Sequence, residues 1–138
     1  MNKYKEFKKY CEDKVNSFPM MFAFSKSQFE EGLLKLESSE EEVLSIGVGG
    51  YIRKSDKEAF ETLMDNIDEK LHLHLEDDEF VLQMFEYELG NHEYCVSGDD
   101  SQVLRACGLE VESLNNNDRL NKLYKQAKRS YLISIKCR

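Results

Sequence analysis

The residues best equipped for chemistry lie in "ELGNHEYC", Glu88 to Cys95, where His92 stands three positions before Cys95. With Cys107 they form the spacing H-x2-C-x11-C. Imidazole and thiolate are good zinc ligands, and a two-residue gap lets both donors turn toward one ion. A closed structural site needs a fourth ligand, for which Cys11, Cys137, His72 and His74 are available, all distant in sequence. The competing reading makes Cys95 and Cys107 small apolar fillers and His92 part of a helix stop at Gly90-Asn91. Two zinc signatures are excluded outright. H-E-x-x-H requires histidine at position 96, which is Val96, and no H-x-E precedes a C-x-x-C.

The other candidates are weaker. His72 and His74 could chelate together on a strand, but on a helix they point about 200° apart. "GVGGY", residues 47–51, has neither G-x-G-x-x-G nor P-loop spacing and suits a tight turn. "VLRACGLEVESL" faintly has the shape of a helix-turn-helix, but it would set Glu110 and Glu112 against phosphates. No Ser/His/Asp set, paired-carboxylate motif or reactive-cysteine signature emerges.

Charge is the stronger signal. Residues 27–93 carry 19 acidic groups against 5 basic, whereas residues 1–26 carry 3 against 6 and residues 94–138 carry 5 against 8. Glu61, Asp65, Asp68 and Glu69 recur at three- and four-residue steps, so a helix would gather them into one ridge. Asp77, Asp78 and Glu79 follow, where negative charge also suits the start of the next helix. Such a surface fits a cationic partner, for example a protein whose groove normally receives phosphates. It disfavours direct nucleic-acid binding by the acidic middle, because each phosphate contact needs a cation.

The elements that must position these groups can be read from periodicity. Tyr4, Phe7, Tyr10/Cys11 and Val15 mark a first helix that Pro19 ends or follows. "MMFAFS" predicts a short buried strand, and "SKSQFEEGLLKL" a helix capped by Ser25 or Ser27. "VLSIGVGGYIRK" predicts two strands joined around Gly49-Gly50. A long helix follows with Ala59, Phe60, Leu63, Met64, Ile67, Leu71 and Leu75 on one face, then a second over Asp78–Leu89 with Phe80, Val81, Met84, Phe85 and Tyr87. A short helix capped by Asp99 or Asp100 ends at Gly108, and a last one starts near Asp118; the terminal "YLISIK" could fray or form an edge strand. The expected fold is α+β, mostly helical with five to six helices and a small antiparallel sheet.

The 138 residues are expected to form a single domain, 1–138. No apolar run approaches the ~20 residues of a membrane span, and the N-terminus lacks a signal-peptide core. A cytoplasmic location and four reduced thiols are therefore expected.

Three stretches together, "FPMMFAFSKSQFEEGLLKL", "SIGVGGYIRKSDKEAF" and "MFEYELGNHEYCVS", resemble an uncharacterised family of small phage and mobile-element proteins from Firmicutes-type bacteria. The likeness runs from about residue 4 to residue 125 and leaves out "KRSYLISIKCR". It implies an accessory role in phage–host conflict: a non-catalytic inhibitor of a bacterial defence nuclease, with an anti-CRISPR-like action on a Cas9-type enzyme as the leading example. Some inhibitors of that kind hold zinc. Two other readings stand beside it, a zinc-stabilised regulatory or scaffold domain built on His92, Cys95 and Cys107, and a metal-dependent hydrolase using His92 and Glu93.

Overall fold

A computed structural model describes residues 2–136, with the side chain of Lys136 left aside; Cys137, one of the possible zinc ligands, lies outside the described residues. The chain is α+β and mostly helical, with a three-stranded antiparallel sheet. Its packing divides into two units, residues 9–70 and residues 1–8 with 71–138. The boundaries fall inside two helices, α1 (Lys3–Asn16) and α3 (Lys57–His74).

In the unit formed by residues 9–70, strand β1 (Met21–Phe22) precedes helix α2 (Lys26–Lys35), and strands β2 (Val43–Gly47) and β3 (Gly50–Arg53) form a hairpin. The sheet order is β1-β3-β2, with Met21 opposite Tyr51 and Leu44 opposite Ile52. The turn falls at Val48-Gly49, one residue before the expected Gly49-Gly50. A bulge between Ser45 and Gly47 shifts the register, and Val48 and Gly49 both take positive φ, 52° and 76°. That pair of left-handed conformations matches the right-handed twist of a hairpin. Ser25, not Ser27, caps α2, its hydroxyl accepting from the Gln28 N–H at 3.2 Å. Met21, Leu36 and Val43 form a small core with Phe29, Leu33 and Tyr51 packed on it.

The other unit is built around α4 (Asp78–Asn91). Its Phe80, Val81, Met84, Phe85 and Leu89 are fully buried. At about 1.5–3 kcal/mol for each such side chain, this helix is the main source of apolar stabilisation in the unit. Three short helices follow, α5 (Tyr94–Ser97), α6 (Asp100–Ala106) and α7 (Val111–Asn115), before the long α8 (Asp118–Lys136). Leu120, Leu123, Tyr124 and Ala127 of α8 are buried, and Tyr124 meets Phe85 edge-on at 5.0 Å. "YLISIK" continues α8 as helix and forms no strand. Tyr4 and Phe7 bring the start of α1 onto Phe80, with ring separations of 5.6 and 5.8 Å. No helix among the described residues is long and apolar enough to cross a membrane.

Candidate functional site

Helix α3 turns its apolar stripe, Phe60, Leu63, Met64, Ile67 and Leu71, inward enough to be half-buried. Ala59, expected in that stripe, is exposed. On the opposite side Glu61, Asp65, Asp68 and Glu69 are all exposed, and Glu58, one turn earlier, joins them. At about 100° per residue these five carboxylates fall within about 100° of arc, on a line about 16 Å long. Among the described residues Glu58, Glu61, Asp65 and Glu69 have no cationic partner. At Glu58, Glu61, Asp65 and Glu69 the ridge is solvated negative charge with no cation beside it among the described residues.

Asp77, Asp78 and Glu79 are differently placed. Asp77 caps α4, its Oδ1 accepting from the Glu79 N–H at 3.0 Å. Lys3 Nζ lies 2.7 Å from Asp77 Oδ2 and 3.0 Å from Glu79 Oε2. The Lys3 ammonium beside it holds the Asp77 carboxyl below its usual range, and the two carboxylates in turn raise the lysine. Asp78 accepts from Arg119 Nε at 2.8 Å. These three carboxylates, expected to extend the acidic surface, have cations of their own and pin α1 and α8 to the start of α4.

His92 and Cys107 both neighbour Glu88, whereas Cys95 is exposed. Helix α4 runs through Gly90 and Asn91, where a stop was expected, and ends at His92, whose backbone N–H donates to the Glu88 carbonyl at 3.0 Å; the left-handed residue that turns the chain is Glu93, with φ 48°. Cys95 is exposed on α5, where its backbone N–H faces the Tyr131 hydroxyl at 3.4 Å. Cys107 is buried, and burial, reinforced by the nearby Glu88 carboxylate, pushes its thiol up to about 12. Among the described residues no group of three or more His, Cys, Asp or Glu side chains is arranged to hold a metal ion. His74 stacks on Phe80 at 4.6 Å, which gives its ring a packing role.

The chemistry that the sequence reading missed is at Glu88. Its side chain is 1 % exposed, a charge in the middle of the apolar face of α4. Oε1 accepts from the Tyr4 hydroxyl at 3.0 Å and from Lys8 Nζ at 3.1 Å, and Oε2 lies 3.2 Å from His92 Nε2. Burial and the adjoining carboxylate raise the Tyr4 phenol well above its usual range. The signal was legible: Glu88 stands four residues after Met84 and three after Phe85, inside the stripe, while Tyr4 and Lys8 share one face of α1. The groups answer one another, and no buried side-chain nitrogen or oxygen among the described residues lacks a partner. Such a cluster orders a core.

Residues 3–130 match a family described as a family of unknown function, DUF7659. The chain belongs to that family. No curated protein and no solved structure matches it. The matched segment contains the α3 ridge, the Asp77–Glu79 clamp and the whole Glu88 cluster, and it ends within α8.

Proposed function

We propose that this protein is a non-catalytic binding protein that presents the α3 ridge to the cationic surface of a nucleic-acid-handling protein. The observation that carries the reading is the ridge itself: Glu58, Glu61, Asp65, Asp68 and Glu69 are exposed on one face, and four of the five have no cation beside them. Carboxylates spaced at one helical turn stand about 5–6 Å apart, where arginine and lysine side chains placed for phosphates can reach them. The non-catalytic reading draws support from the Glu88 cluster, whose titratable groups are engaged with one another around a nearly inaccessible carboxylate. The resemblance to phage proteins makes a bacterial defence nuclease of the Cas9 type the first target to try, in the bacterial cytoplasm.

The test is a binding titration with purified target against the parent protein and a variant carrying Glu61→Gln, Asp65→Asn, Asp68→Asn and Glu69→Gln. Four lost charges at about 0.5 kcal/mol each, the middle of the range for exposed pairs, weaken the complex about thirtyfold, and raised salt weakens the parent toward the variant. Full affinity in the variant sinks the phosphate-mimic reading and leaves an apolar or shape-driven interface. Glu93→Gln serves as the control for hydrolase chemistry, and no change in target activity is expected from it.

A further inference from the structure

Helix α8 carries six basic residues and one acidic residue in a chain whose net charge is −8. Two of those cations have local roles. Arg119 holds Asp78 and donates to the Leu75 carbonyl at 2.9 Å, while Lys128 reaches Asp100 at 3.0 Å and lies over the Tyr94 and Tyr124 rings. Lys122, Lys125 and Arg129 are exposed and have no ion-pair or cation–π partner among the described residues. They fall within about 60° of arc, opposite the buried Leu120, Leu123, Tyr124 and Ala127, along about 11 Å of helix. Lys125, Lys128 and Arg129 also line a shallow depression of about 390 Å³.

We infer that this cationic face of α8 receives the acidic α3 ridge of a second copy of the chain. The two surfaces match in three respects. Both are helical ridges with charges at three- and four-residue steps, both are exposed, and Glu61 to Glu69 spans about 12 Å against about 11 Å for Lys122 to Arg129. Net repulsion between two chains of −8 acts over distance and is damped beyond a Debye length of about 8 Å at physiological salt. Ridge-to-ridge contacts at ion-pair distance are damped far less. A phosphodiester backbone would also suit three cations, but only the carboxylate ridge supplies, on the same molecule, a partner matched in length and spacing. Because donor and acceptor faces differ, the contact is head-to-tail and builds rings or open chains. It needs only the two ridges and not the partner proposed above, although it would mask the ridge that such a partner needs.

Sedimentation velocity over a range of concentrations tests it, with one variant carrying Lys122→Glu, Lys125→Glu and Arg129→Glu, and another carrying Glu61→Lys, Asp65→Lys and Glu69→Lys. Far-ultraviolet circular dichroism checks that both stay folded. At about 0.15 M salt the parent is expected to gain mass with concentration, and to lose that gain at about 1 M salt, where the Debye length is about 3 Å. Each variant alone remains a single chain, and mixing the two restores association because every face again meets its opposite. A parent that stays a single chain throughout at about 0.15 M salt overturns the inference, as does association that persists in either variant alone. A single-stranded oligonucleotide is the second probe. Binding that the parent shows and the α8 variant loses, with no self-association in the parent, assigns the face to phosphates and overturns the inference too. Failure of the nuclease titration leaves all these outcomes unchanged, so the two readings fail separately.

Discussion

Glu88 is the residue whose environment most departs from what its type prefers. A carboxylate at 1 % exposure is tolerable because Tyr4, Lys8 and His92 take its lone pairs. Glu88→Ala is expected to cost about 2–3 kcal/mol in urea unfolding, since it leaves the Tyr4 hydroxyl unpaired and opens space beside Phe85. The loss stays below that of a fully buried ion pair, because Lys8 and His92 are partly exposed and can turn to water. Cys107 gives a second prediction. With its thiol raised to about 12, it should resist a thiol reagent in the native state at pH 8, while Cys95 on the surface reacts at once. Cys95→Ser removes one fast equivalent, and Cys107→Ser changes only the equivalents released by unfolding. Fast reaction of Cys107 would contradict its place in the core. Asp77 carries a pH dependence. Its folded carboxyl is depressed, so its contribution is present at neutral pH and fades as pH falls through the depressed value. Asp77→Asn keeps the helix cap and removes the charge, so the gap in Tm between parent and variant is expected at pH 7 and should narrow as pH falls below the ordinary carboxylate range.

At the level of elements, long periodic stretches were legible and short or context-set ones were not. The stripes of α3 and α4, the Ser25 cap and the β2–β3 hairpin follow from patterns that span several turns or a full strand pair. Helices α5 and α7, with four and five residues, are too short to show a period, which explains why eight helices appear among the described residues where five to six were expected. "YLISIK" misled because β-branching is a weak preference, and it continues a helix already anchored by Leu120, Leu123, Tyr124 and Ala127. The candidate site divided the same way. Spacing alone placed Glu61, Asp65, Asp68 and Glu69 on one face, but it could not assign Lys3 and Arg119 to the Asp77–Glu79 group, because those contacts cross 41 to 76 positions of sequence. Gly32 supplies the prediction at this scale. It is buried in α2, and a methyl group there would lie 1.9 Å from Met21 Sδ and 3.0 Å from Met21 Cβ. Alanine normally gains about 1 kcal/mol over glycine inside a helix. Here Gly32→Ala is expected to destabilise on balance by about 1 kcal/mol, because overpacking displaces the side chain that seats β1. A thermal melt shifted upward would contradict that packing.

For the molecule as a whole, charge is the organising quantity. Residues 9–70 hold 14 acidic and 8 basic groups, a net −6, while the remaining residues hold 13 and 11, a net −2. Five carboxylates of the second set, Asp77, Asp78, Glu79, Glu88 and Asp100, are paired within that unit through Lys3, Lys8, Arg119 and Lys128. Within residues 9–70 the exposed carboxylates include Glu30, Glu31, Glu37 and Glu40 to Glu42 as well as the α3 ridge, and the ridge is where one helix face lines them up for a cationic partner. The most direct measurement is affinity capture from a nuclease-treated bacterial lysate, comparing the parent with the four-substitution ridge variant and identifying bound proteins by mass spectrometry. Nucleic-acid-handling proteins enriched on the parent, released by salt or by added DNA and absent from the variant, are the predicted result. The same proteins on both baits, or a parent-specific set with no nucleic-acid-handling member, would contradict the account.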